Sequence, residues 1–109
     1  MIHSLRISPA TIADVDEAAH FIARDNVDAA LRFYDSIDLT FRQIREHPQR
    51  SPLYALDEIR LASLRRWPVV RFRKHLIFYL IDGDDIQVIR ILHGARNIPA
   101  ILLDELSDQ

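Results

Sequence analysis

The sequence predicts an α+β fold, with an N-terminal strand, an α-helical hairpin, then a three-stranded, mainly antiparallel sheet and a short C-terminal segment. Three observations predict it. Apolar residues recur at helical spacing from Ile12 to Ile44. The stretch HPQRSPLY, with Pro48 and Pro52, then ends that period. Beyond it, β-branched and aromatic runs flank Asp82-Gly83-Asp84, a strong short-range hairpin signal.

In chain order, SLRIS (residues 4–8) alternates as a short strand. Ser8-Pro9 then starts a helix, with serine as N-cap and proline in the first turn. Asp14, Asp16 and Glu17 lie early in that helix, where the macrodipole favours negative charge, and Ile12, Val15, Ala19 and Ile22 supply its core face. Asp25-Asn26 interrupts and re-caps. Ala30, Phe33, Ile37, Phe41 and Ile44 trace a second stripe that stops before Pro48. A strand is expected over Ala62 to Trp67, checked at Pro68, and another from Arg73 to Ile81. In the latter, Ile77, Tyr79 and Ile81 point one way and Leu76, Phe78 and Leu80 the other, so both faces are apolar. Two helices cover one face only, and the other needs the C-terminal IPAILLDEL or a partner.

A chain of 109 residues reads as one domain over 1–109, large enough to bury a core without staples. Cysteine is absent, which removes disulfides, a thiol nucleophile and cysteine metal sites and fits a cytoplasmic location. The opening MIHSLRISPA lacks a signal-peptide pattern, and charged residues interrupt every apolar run before membrane-spanning length. A net charge of −2 argues against general nucleic-acid binding. The charge is unevenly spread, however: Arg60, Arg65, Arg66, Arg71, Arg73 and Lys74 cluster, whereas Asp104, Glu105 and Asp108 make the tail acidic. The five histidines fall at no zinc-ligand spacing, and two glycines form no phosphate or calcium loop, so no metal or cofactor is expected.

The residues that could carry function gather near the end of the last strand, in IRILHGARN (residues 89–97). His93 is open to two readings, a general base or a ring bonded to backbone. Gly94 is expected to allow a tight turn or a positive φ. Arg96 either pairs with Asp104 or Glu105 or meets a target. Arg90, inside an apolar strand, must face a rim, a partner or a buried carboxylate such as Asp14 or Asp16, the ion pair being favoured, because an unpaired buried guanidinium is too costly. Arg65 and Arg66 alternate across a strand, so only one of them shares a face with any given site. Tyr79 is expected to pack with its hydroxyl at the rim, and Trp67 to lie in the core or an interface.

Taken together, the order of elements and the stretches SPATIADVDEAAHFIARDNVDAALRF, LRRWPV and LIFYLIDGDDIQVIRILHGARN resemble the ParE branch of the RelE/ParE toxin superfamily of bacterial toxin–antitoxin systems. The resemblance covers nearly the whole chain. It implies a toxin held inactive in a hetero-oligomeric complex with a ParD-like antitoxin, which touches operator DNA only through that antitoxin and inhibits DNA gyrase when free. On that reading Arg65, Arg66, Arg90, His93 and Arg96 are target-binding candidates. The stripe Phe33, Ile37 and Phe41, with Leu76, Phe78 and Leu80, is the candidate antitoxin surface, for a helix in a groove or an added strand.

The alternative implied by the same superfamily is a RelE-like, ribosome-dependent mRNA endonuclease. Such cleavage needs a base, an acid and cations, for which Arg65, Arg73, Arg90 and His93 are the candidates. The stretch after the histidine–arginine pair, NIPAILLDEL, has no tyrosine, and acidic residues that repel RNA phosphate follow. The binding inhibitor, not an enzyme, is therefore the favoured expectation.

Overall fold

The computed structural model describes residues 4–54 and 63–107. Its elements are β1 (Ser4–Ile7), α1 (Pro9–Ala23), α2 (Val27–Glu46), β2 (Arg65–Val69), β3 (Phe72–Asp82), β4 (Asp85–His93) and α3 (Ile98–Ser107). One mixed sheet runs in the order β1-β4-β3-β2, with β1 parallel to β4 and the other pairs antiparallel. The N-terminal strand thus joins the three later ones as a fourth, 81 residues away in register at Ser4↔Asp85.

Local chemistry sets the helix ends. The Ser8 hydroxyl accepts the Thr11 amide at 3.1 Å and Pro9 occupies the first turn, whereas Asn26 caps α2 by accepting from Ala29 at 3.0 Å. The β3–β4 turn is Gly83-Asp84. Gly83 stands at φ 60, a left-handed value that glycine takes without a Cβ clash. The β2–β3 turn puts Arg71 at φ 67, where a side chain is unfavourable. Thr40 braces this turn, accepting from the Val70 amide at 3.0 Å while donating to the Ser36 carbonyl at 2.6 Å.

Two cores lie on opposite faces of the sheet. Under α1 and α2, Phe33, Ile37, Ile44, Ile77, Tyr79, Ile86, Val88 and Ile91 are buried together, and Phe33 meets Phe72 edge-on at 5.1 Å. On the other face Leu64, Phe78, Ile89 and Leu92 bury against Ile98 and Leu102 of α3, so the C-terminal segment supplies the second cover. A bulge in β4 serves both. Pairing steps from Phe78↔Arg90 to Tyr79↔Val88, leaving Ile89 without a partner and resetting the alternation, so that Val88 and Ile91 face the helices while Ile89 and Leu92 face α3.

Several expectations change. The strand placed at Ala62 to Trp67 lies at Arg65–Val69, and Ala62 is outside the described residues. Pro68 sits within this strand because β2 is at the sheet edge, where a missing N–H breaks no ladder. Ile12 is 57% exposed and Thr11 is buried in its place. The reason is that the first turn of α1 continues β1 along β4. Ser8 N–H donates to the Val88 carbonyl at 3.2 Å, the Ser8 hydroxyl donates to the Ile89 carbonyl at 2.9 Å, and Thr11 hydroxyl reaches the Val88 carbonyl at 3.5 Å. Trp67 is half-buried against the helix-side core. No helix among the described residues is long and apolar enough to cross a membrane.

Candidate target-binding cleft

Beyond Ile7 the edge of β4 has no strand beside it, and α1 fills the gap with a carboxylate. Asp14 accepts Arg90 Nε and Nη2, both at 2.7 Å, and the Ile91 amide at 3.0 Å. This side-on, two-pronged pair raises the Arg90 pKa above its ordinary value, first through the hydrogen bond to Asp14 and against the opposing effect of burial. Arg90 therefore spends its guanidinium on fixing α1 against the sheet, one of the two carboxylate partners anticipated for it.

The same anchoring leaves a cleft of about 800 Å³ between α1 and the ends of β3 and β4. Ile91, Leu92 and Ala18 contribute apolar lining, and Phe21, 67% exposed, stands at α1 with the Arg24 guanidinium 5.9 Å from its ring centre. His75 and His93 face each other across β3 and β4 at a ring separation of 5.2 Å, nearly perpendicular. His75 also lies edge-on to Phe33 at 5.1 Å. Desolvation, and secondarily the His93 neighbour, lower the His75 pKa below the ordinary histidine value.

After His93 the chain turns. The Gly94 amide donates to the Lys74 carbonyl at 2.7 Å, Arg96 N–H to the His93 carbonyl at 3.0 Å, and the Ala95 amide to His93 Nδ1 at 3.0 Å. Of the two expectations for Gly94, the tight turn is present and the positive φ is not, and a Cβ there would meet only the Lys74 carbonyl at an ordinary 3.5 Å, so the hydrogen bonds rather than a glycine-only conformation shape the turn. Arg96 emerges exposed at the cleft, with no ion pair to Asp104 or Glu105 among the described residues.

The other candidates do not converge here. Arg65 lies on β2 opposite Tyr79, and its Nη1 donates to the carbonyls of Ser51 at 2.5 Å and Gln49 at 3.3 Å. It thereby ties the 48–52 loop to the sheet. Tyr79 packs as expected, but its hydroxyl, expected at the rim, is buried as well. Its hydroxyl donates to the Pro48 carbonyl at 2.8 Å and lies 2.5 Å from Ser51 Oγ, and burial raises its pKa more than Ser51 and Arg65 lower it. Arg66, opposite Phe78, is exposed, as is Arg73. Arg66 and Arg90 flank Phe78 in one row across the sheet, two strand spacings or about 10 Å apart.

Among the residues considered for antitoxin contact, Phe33, Ile37 and Phe78 lie inside the two cores, with exposures of 0%, 4% and 0%. They present almost no surface because α1, α2 and α3 cover both faces of β3. Phe41, Leu76 and Leu80 remain half-buried. Sequence reasoning passed over Phe21, Arg24 and Glu17 as lining residues. An aromatic residue off the apolar stripe of its helix was the available signal for Phe21.

Comparison with known proteins places this architecture. A family model described as the ParE toxin of the type II toxin–antitoxin system parDE matches residues 5–98. The chain belongs to that family. Two solved structures share the fold of this ParE-family toxin. One is the chromosomal ParDE toxin–antitoxin system from P. aeruginosa, at 17% identity and a TM-score of 0.67, covering 84% of this chain and 96% of that one. The other is the toxin–antitoxin complex RelBE2 from Mycobacterium tuberculosis, at 14% identity and a TM-score of 0.61, covering 85% and 99%. No curated protein matches the sequence. This chain thus shares its fold with both toxin–antitoxin structures.

Proposed function

We propose that this ParE-family toxin is neutralised by a ParD-like antitoxin and, when free in the cytoplasm, inhibits DNA gyrase by binding, without chemistry of its own. The observation that carries the reading is the fate of the cations. Arg90 is consumed by Asp14 and Arg65 by backbone carbonyls, while Arg96 is exposed beside a cleft with apolar lining and free of ion pairs among the described residues. A nuclease of the superfamily needs several cations and an acid–base pair converging on one phosphate. Here Arg65, Arg73, Arg90 and His93 are spread over the sheet, and His93 Nδ1 already accepts a backbone amide. An exposed arginine next to apolar lining suits a protein target instead.

Arg96 and His93, with Arg66 as an outlying contact, are assigned to target binding, whereas Phe41, Leu76 and Leu80 retain surface for an antitoxin. The test is a pair of assays on antitoxin-free protein, supercoiling by purified gyrase and message integrity in a translating extract. Loss of supercoiling with intact message is expected, and Arg96→Ala should weaken inhibition about tenfold, the effect of losing one interfacial contact of about 1.4 kcal/mol. Cut message with unaffected gyrase would overturn the proposal.

A further inference from the structure

We propose that His93 is a positioning residue whose protonation state sets the turn that presents Arg96, the turn holding its shape only while Nδ1 is unprotonated. This rests on the reading of Arg96 as a target contact and specifies how that contact is controlled.

The geometry is a side-chain-closed turn. The Gly94 amide is anchored to β3 through the Lys74 carbonyl, and Arg96 N–H closes back on the His93 carbonyl. That leaves the Ala95 amide, which points at His93 Nδ1 from 3.0 Å. The imidazole thus plays the part that an aspartate or asparagine oxygen plays when it bonds the amide two residues on. A neutral ring does this only with its proton on Nε2. Protonation puts a second N–H on Nδ1, facing the Ala95 N–H, so the acceptor vanishes and two donors are opposed. The turn must then reorganise, and Gly94 gives it freedom to do so, since nothing but the Lys74 carbonyl lies near its Cα side.

Charged and ionisable groups reach the surroundings of this ring from each element packed around it. From β3 it faces His75 at 5.2 Å, and from the turn itself comes Arg96. From α1, His20 and Arg24 add positive or ionisable groups. Asp14, also on α1, is committed to Arg90, and Glu17 is the second carboxylate lining the cleft.

The experiment follows the backbone amides of Ala95 and Arg96 and the ring nitrogens of His93 by ¹⁵N NMR as the solution passes from about pH 8 to about pH 5, the range in which histidine changes charge. Gyrase inhibition is measured alongside for the wild type, His93→Asn, His93→Phe and Arg96→Ala. The wild type should show the Nε2–H tautomer at the upper pH, with the Ala95 amide moving in step with His93 protonation. His93→Asn supplies an oxygen near the Nδ1 position and should keep the Ala95 signature with no pH response, whereas His93→Phe should lose the signature at every pH and inhibit about tenfold less well. An Ala95 amide indifferent to His93 protonation, or preserved in His93→Phe, overturns the proposal. If the amide follows His93 but Arg96→Ala inhibits like wild type, the turn mechanism stands and the target-binding role of Arg96 falls.

Discussion

Replacing Asp14 by alanine should be among the most damaging single changes outside the apolar cores. The carboxylate is 9% exposed and the Arg90 side chain 19%, and three hydrogen bonds end on its two oxygens. Deleting one partner of a fully buried pair costs about 3 to 5 kcal/mol, because the surviving charge is left uncompensated. Arg90 keeps some contact with water, which favours the lower end of that range. The orphaned Ile91 amide adds about 1 kcal/mol. The sum is about 4 kcal/mol, a loss approaching about a thousandfold in the folding constant. Urea unfolding with a slope of about 1.5 kcal/mol/M should therefore show a midpoint lowered by about 2.7 M. Arg90→Met should cost less, about 1 to 2 kcal/mol, since Asp14 keeps the Ile91 amide. The double variant should fall short of the sum of the two by at least about 1 kcal/mol. An Asp14→Ala cost under about 1 kcal/mol, or strict additivity, would refute the reasoning that α1 is pinned to the β4 edge by this carboxylate.

Three further outcomes follow from the structure. Ser36 is 1% exposed and its hydroxyl has no partner among the described residues, so Ser36→Ala should stabilise the protein by about 1 kcal/mol in the same urea assay. Leu102→Ala, at a fully buried position of α3, should cost about 3 kcal/mol and increase binding of a hydrophobic dye to the exposed second core. The lowered His75 pKa gives a signed pH dependence. Stability is full above the unfolded histidine value of about 6.5, falls as the pH drops from there through the lower folded value, and is level below it, with a slope of at most about 1.4 kcal/mol per pH unit. His75→Leu should remove this component from the pH profile of the urea midpoint.

Some of this was legible in residue patterns and some was not. The two helices, their caps at Ser8 and Asn26 and the two-faced β3 follow from periodicity and turn chemistry alone. An ion pair for Arg90 was the favoured reading, because a buried guanidinium demands a carboxylate, but the choice of Asp14 over Asp16 needed the placement of α1 on β4. Ile12 was misplaced because periodicity finds a stripe but not its edges, and because Thr11 is drawn inward by hydrogen bonds to β4 that no helical pattern encodes. The β4 bulge at Ile89 is equally silent in sequence, since a run of Ile, Val and Leu reads as apolar on either register. Phe33 and Ile37 look like contact residues until the helical hairpin is laid on the sheet, and Phe78 until the second cover, α3, is placed over the other face. The cleft depends on how the helical hairpin sits against strand ends some seventy residues later in the chain, so His93 and Arg96 could be nominated from the sequence but not Phe21 and Arg24 beside them.

The place of β4 between β1 and β3 also bears on how the chain comes off the ribosome. When the helical hairpin and β3 have emerged, β1 has no neighbour to join, Asp14 has no arginine, and Phe78 has only Tyr54 and Leu64 against it. Every one of these waits for β4 and the helix behind it, and bringing such distant segments together is slow to begin. The α-helical hairpin and the β2–β3 pair are local, but joining β1, the α1 anchor and α3 into one molecule hinges on β4.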